Sequence, residues 1–136
     1  MSNFVYVVDD DEAVRKALSL LLETVGLDVR SFASPETFLK QATDLMPGCL
    51  ILDIRMPHKT GLEIAEACQK NNLNTKIILI TFDKEEELYD QAKAYNVYGY
   101  ILKEFAIEEI EICIEHVINN QPYFSEEIAS YLNHNF

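Results

Sequence analysis

Cys49-Leu-Ile-Leu-Asp-Ile-Arg-Met-Pro57 sets a short, mostly apolar run directly before a carboxylate, with a proline shortly after it. A run of this kind reads as a strand buried on both faces, as in parallel sheets covered by helices. An aspartate at its end is compatible with ordinary strand punctuation. A second strand with the same ending points further: Phe4-Val-Tyr-Val-Val8 runs into Asp9, Asp10 and Asp11. Side by side and parallel, the two strands bring at least three carboxylates to one edge of one sheet. Like charges that close repel unless a positive group stands among them. Together the two stretches predict a cation site, with Asp53 placed to do chemistry beside it.

Working outward, strand-like and helix-like segments alternate. The strands are expected at 4–8, 27–32, 48–53, 76–81 and 98–102. Over 12–25, Val14, Ala17, Leu18, Leu21, Leu22 and Val25 recur at the spacing of a buried helical stripe. Gly26 stands where a left-handed C-cap would end that helix. Ser34-Pro35 supplies an N-cap and a first-turn proline for a second helix. Thr60-Gly-Leu-Glu63 is a capping box for a third, and Asp83-Lys-Glu-Glu86 resembles another for a fourth ending at Asn96. In a fifth helix Ile107, Ile110, Ile114 and Val117 are expected to share one face. Asn119-Asn-Gln-Pro122 breaks that helix, and Ser125 could cap a short sixth one through Leu132.

Five strand–helix units in this length predict an α/β fold, a flavodoxin-like (βα)5 doubly wound parallel sheet with a short extra C-terminal helix. Its expected strand order is 2-1-3-4-5, which puts strands 1 and 3 on either side of the topological switch point, where such folds bind ligands. The 136 residues suit one core, and 49% hydrophobic content argues against disorder. With 23 acids against 11 Lys and Arg the net charge is -12, which repels phosphate backbones, so this chain is not expected to contact nucleic acid directly. Cys49, Cys68 and Cys113 are widely spaced in apolar stretches without a CxxC pair, the usage of packed reduced thiols in a cytoplasmic protein. No signal peptide and no apolar run of spanning length is read, so no membrane partner is expected.

At the acidic edge, Asp11 fits a helix N-cap, and acids there also complement the helix dipole. Asp9 and Asp10 are compatible with that role and, beside Asp53, with holding a metal. Hard oxygen ligands in small number suit Mg²⁺ shared with a phosphate, whereas no His or Cys cluster calls for zinc. Thr81 ends the fourth strand and Lys103 the fifth. Either alone reads as a β-forming residue or a solvated edge lysine. At one edge, hydroxyl and ammonium make a donor pair facing an acid cluster, as holding phosphoryl oxygens requires.

In these elements the chain resembles a CheY-like receiver domain of two-component response regulators, and most closely in flavour the receivers of LuxR-type helix-turn-helix regulators. The matching elements are Val-Val-Asp9-Asp10, Leu-Asp53-Ile-Arg-Met-Pro57 with Gly61 beyond it, Ile80-Thr81, and Gly-Tyr100-Ile-Leu-Lys103. The resemblance implies that Asp53 is the phosphoacceptor for a sensor histidine kinase. It implies that Asp9, Asp10, Asp53 and the backbone carbonyl of Arg55 hold Mg²⁺, with Asp9 acting mainly through water. Lys103 would pair with the phosphoryl group, Thr81 would move to bond it, and Tyr100 would swing inward. On this basis residues 1–120 are expected to form the receiver domain, and 121–136 a C-terminal extension or the start of a linker to an output domain.

Phe82 after the threonine and Glu104 after the lysine depart from the commoner small residue and proline. Gln121-Pro-Tyr-Phe-Ser-Glu-Glu127 resembles the stretch that leads from such receivers toward a DNA-binding domain, so the expected output is transcriptional. Arg55, Phe82 and Asp83 are expected to modulate dephosphorylation, Arg55 and Asp83 through an ion pair across the mouth of the site; two independent solvated side chains fit the same residues. Tyr98 and Tyr100, with the fourth and fifth predicted helices, suggest a face near strand 5 for a homodimer or partner. A second class of function is a pseudo-receiver or single-domain binding module that works without phosphorylation. A third, a hydrolase with an aspartate nucleophile and Mg²⁺, would place a D-x-D pattern after the first strand, which this chain lacks.

Overall fold

A computed structural model of the chain describes residues 4–41, 48–53, 61–70, 75–81 and 97–126. The decisive stretch forms β3 (Cys49–Asp53), and every residue of it is buried. It lies parallel to β1 (Phe4–Val8), with Val5 opposite Cys49 and Val8 opposite Leu52. On the other side of β1 runs β2 (Asp28–Phe32), and beyond β3 lie β4 (Lys76–Thr81) and β5 (Val97–Leu102). A further strand, β6 (Tyr123–Phe124), pairs in parallel with β5. The sheet order is thus 2-1-3-4-5-6, the expected order with one strand added at the β5 edge.

Among the described residues the helices are α1 (Glu12–Thr24), α2 (Pro35–Gln41), α3 (Gly61–Lys70) and α4 (Ala106–Ile118), the last being the fifth of the predicted helices. The chain leaves β5 through a short 3-10 turn, Lys103–Phe105. Local chemistry accounts for the ends. Asp11 caps α1 by accepting from the amides of Ala13 and Val14. Gly26, with φ +90, takes the left-handed conformation that closes the helix. The amide of Thr37 donates to Ser34 Oγ at 3.2 Å, the N-cap expected for α2. Thr60, the predicted fourth helix over 83–96 and the helix expected after Ser125, past its first residue Glu126, lie outside the described residues.

Side chains alternate across the sheet, and each face carries its own core. Tyr6, Val8, Leu50, Leu52, Leu79 and Tyr100 pack with Phe38 of α2 and Ile64 of α3. Val5, Val7, Ile51, Ile78 and Ile80 pack with Leu18 and Leu22 of α1 and with Ile110 and Val117 of α4. Burying an aliphatic side chain of this size stabilises by about 1.5–3 kcal/mol, so packing on both faces fixes the register that aligns the strand ends.

Two expected stripes are narrower than their periodicity. On α1, Leu18 and Leu22 are buried, but Ala17 is exposed and Val25, past the last turn, is 46% exposed. On α4, Ile110, Ile114 and Val117 are buried while Ile107 is 47% exposed. Ala106, Ile110, Cys113, Ile114 and Val117 form the buried face, which turns Ile107 outward. Gly99 permits the close approach of α4 to β5: a Cβ there would lie 2.8 Å from Cys113 Sγ. The three cysteines are buried and unbridged, as expected.

Candidate functional site

The parallel register brings the charged strand ends to one edge. Asp53 stands opposite Ile80, the residue before Thr81, and Thr81 stands opposite Leu102, the residue before Lys103. Asp9 follows the last residue of β1 and is only 2% exposed; Asp53 is 3% exposed. Asp10 lies on the surface between Asp9 and the start of α1.

Asp9 is fixed by its own loop. Its carboxylate accepts from the Asp11 amide at 2.9 Å, and its amide donates to the Phe32 carbonyl at 3.2 Å. Arg15, one turn into α1, donates from Nη1 to the Asp9 carbonyl at 2.7 Å. Burial pushes the Asp9 carboxyl up from its usual 3.8 to about 6; the Asp53 charge acts in the same direction, while the Asp11 amide and Lys103 oppose it. Desolvation therefore dominates. The expectation for Asp11 alone, that it caps the helix, holds at 2.9 Å to the Ala13 amide.

Lys103 binds the cluster together. Its Nζ lies 3.0 Å from Asp53 Oδ2 and 3.3 Å from Asp9 Oδ2. Burial lowers the proton affinity of its ammonium, but the bond to Asp53 and the charges of Asp9 and Asp53 outweigh that, and its pKa lies above the usual value. One carboxylate oxygen from each of Asp9, Asp10 and Asp53 lies within 4.8 Å of the others. Three carboxylates facing one ammonium leave acid in excess among the described residues. This donor set of hard oxygens, two of them buried, fits a divalent cation of the Mg²⁺ type.

Thr81, 1% exposed, ends β4, and Tyr100, 1% exposed, lies on β5, the strand that leads into the lysine. The Tyr100 ring belongs to the core on the α2–α3 face, with Leu79 and Leu102. The structure thus brings Asp9, Asp10, Asp53, Thr81 and Lys103 to one edge, with Tyr100 buried behind it. Arg55, Phe82 and Asp83 lie outside the described residues. The sequence reading missed Arg15, whose place one turn after the N-cap Asp11 was an available signal. It also missed Glu109, which accepts from Tyr123 Oη at 2.8 Å and Ser125 Oγ at 2.6 Å. No spacing rule connects a helix carboxylate with a strand that α4 itself returns to the sheet.

Among the described residues no helix is long and apolar enough to cross a membrane. The profile of the response regulator receiver domain matches residues 5–115. Response regulator protein TmoT of Ectopseudomonas mendocina is 34% identical over 134 residues, covering 93% of this chain and 61% of TmoT. Transcriptional regulatory protein FixJ of Rhizobium meliloti is 34% identical over 118 residues, covering 84% of this chain and 58% of FixJ. The crystal structure of FixJ-N superimposes with a TM-score of 0.72 at 32% identity, covering 85% of this chain and 96% of that one. The chain therefore spans about three fifths of the length of these two curated relatives.

Proposed function

The chain belongs to the response regulator receiver domain family, and on that premise we propose that Asp53 accepts a phosphoryl group from a sensor histidine kinase. The observation that carries this is the Lys103 ammonium placed 3.0 Å from Asp53 Oδ2, at a strand end shared with two further carboxylates. A carboxylate oxygen of Asp53 attacks phosphorus, the phosphorus–nitrogen bond of the phosphohistidine breaks, and its electron pair returns to the imidazole. The product is an acyl phosphate, which water attack at phosphorus later returns to the free carboxylate. The protein's part is positioning and charge stabilisation, the main terms in phosphoryl transfer. Phosphotransfer and autodephosphorylation are thus reactions of the domain on itself.

Mg²⁺ would be held by Asp9, Asp10 and Asp53 with the backbone carbonyl of Arg55. When bound, it would neutralise charge on the phosphoryl oxygens. Lys103 supplies the second positive charge, and its ammonium is already held between Asp9 and Asp53. Thr81 would bond the phosphoryl group, and the Tyr100 ring would report that movement into the surface near strand 5 and the predicted fourth helix. Arg55, Phe82 and Asp83 would set the rate at which water reaches the acyl phosphate.

Residues 1–120 would act as the receiver and 121–136 as the extension or linker toward an output domain. The description of FixJ as a transcriptional regulatory protein supports a transcriptional output, and membership of the receiver family supports a cytoplasmic location. A homodimer through the face of strand 5 and the predicted helices beside it would be the form that acts.

The test is incubation with Mg²⁺ and acetyl phosphate, followed by intact mass. A gain of one phosphoryl group that is absent in Asp53→Asn is expected. No gain with Mg²⁺ present, or an equal gain in Asp53→Asn, would overturn the assignment and favour a binding module that works without phosphorylation.

A further inference from the structure

We infer that residues 121–126 form a latch on β5 that loosens when a phosphoryl group enters the site; this rests on the functional reading of Asp53 given above. The strap is fastened at three levels. Tyr123 and Phe124 register with Gly99 and Tyr100 as a parallel strand. The Ser125 amide donates to the Tyr100 carbonyl at 3.0 Å, and the Leu102 amide donates to Ser125 Oγ at 3.0 Å. Ser125 Oγ in turn donates to Glu109 Oε2 at 2.6 Å, and Tyr123 Oη donates to Glu109 Oε1 at 2.8 Å. Ser125 is 1% exposed and its bond with the Leu102 amide is shielded from water, while the two bonds to Glu109 are half-buried.

The position of Leu102 makes this a latch rather than a passive edge strand. Its amide holds the strap, its next neighbour Lys103 holds Asp53 at 3.0 Å, and its register partner on β4 is Thr81. A phosphoryl group on Asp53 has to open the direct Lys103–Asp53 contact, because its oxygens stand where the ammonium and carboxylate now meet. Lys103 and Thr81 flank Leu102, and both are drawn to those oxygens. The lysine side chain is 9% exposed, so its stem has little room to absorb the change alone. The backbone at Leu102 shifts, and the bond to Ser125 Oγ is the first contact of the strap to feel it. Whatever follows residue 126 is then carried on a strap whose docking depends on the state of Asp53.

Coupling of this kind is reciprocal: if the phosphoryl group weakens the latch, cutting the latch strengthens binding at the site by the same factor. The experiment uses the full chain with Mg²⁺ and beryllofluoride, with the bound fluoride followed by NMR and amide exchange followed at Leu102 and Ser125. Exchange at both amides is expected to quicken by about fivefold, the low end of measured couplings. Ser125→Ala and Tyr123→Phe are expected to raise beryllofluoride affinity by a similar factor, the second keeping the test open should the first fail to fold. Bound beryllofluoride with unchanged or increased protection would overturn the latch alone. So would faster exchange with no change of affinity in Tyr123→Phe. No bound beryllofluoride would overturn the functional reading and the latch with it.

Discussion

The chain uses carboxylates in two ways on either side of β5. At the carboxyl edge, Asp9 and Asp53 share one ammonium, at 3.3 and 3.0 Å, with Asp10 beside them. Under the strap, Glu109 receives one hydroxyl on each oxygen, at 2.8 and 2.6 Å. Glu109 is paired with neutral donors that leave its charge in place, and it acts as a fastener. The aspartates are drawn together by topology in excess of the positive charge that meets them, so the cluster gains from an added cation. A matched acid holds structure, whereas an overcrowded one stores a response.

The sharpest way to break this contrast is Lys103→Met. Removing one partner of a buried ion pair costs about 3–5 kcal/mol, because the charges left behind are uncompensated. That loss is expected in urea unfolding at neutral pH without divalent cation, and saturating Mg²⁺ is expected to recover part of it. A small loss that Mg²⁺ does not change would show that the acids do not act as one cluster.

Asp9→Asn works in the opposite direction. The Asp9 carboxyl is raised from 3.8 to about 6, so its charged form is disfavoured in the folded state. A shift of about two units corresponds to at most about 3 kcal/mol. Because a raised acid favours folding only when protonated, the penalty is full above pH 6, shrinks as pH falls, and is gone below 3.8. Asp9→Asn is therefore expected to be more stable than the parent at neutral pH without Mg²⁺, and no more stable in acid. It should also lose the stabilisation by Mg²⁺ that the parent shows.

The site was legible in the sequence because parallel strands buried on both faces end at one edge, and their last residues are read straight off the chain. Asp9, Asp53, Thr81 and Lys103 each follow or end an apolar run, and the register then aligns them. The strap was not legible for the opposite reason. Tyr123-Phe124 is too short to show a period, and Pro122 before it reads as the end of structure. Its place in the sheet comes from tertiary contacts to Gly99 and Tyr100 and from a helix carboxylate fourteen residues upstream of Tyr123. Helix rotation was equally hidden. Ile107 satisfies the apolar spacing of α4, yet Ala106 takes the buried place beside it.

Glu109→Gln tests the fastener with a smaller effect. A glutamine keeps the shape but offers one acceptor oxygen where two are used, so one hydroxyl loses its acceptor. The expected cost is about 1–2 kcal/mol. It should appear first as faster exchange of the Ser125 amide, with Mg²⁺ binding at the aspartates little changed. Equal loss at both places would join the two regions into one unit.

The smallest effect expected is on the titration of Tyr123. Burial pushes its hydroxyl up from 10 to about 12, and the bond to Glu109 and that residue's charge add to the shift, with Cys113 also close. The His116 ring lies tilted beside the Tyr123 ring, with centroids 5.3 Å apart. Since the folded form holds the proton more tightly, the contribution of Tyr123 to docking of the strap is full below pH 10 and is lost as pH rises through about 12. An ultraviolet titration of tyrosinate should show a late-ionising tyrosine that is missing in Tyr123→Phe and moves back toward 10 in Glu109→Gln. A Tyr123 that ionises near 10 in the parent chain would mean that Glu109 does not hold it. The sign of the shift also separates the two regions by stimulus. Around neutrality the Tyr123 hydroxyl keeps its proton, so this bond of the strap does not respond to loss of that proton in the range where Asp53 would be phosphorylated.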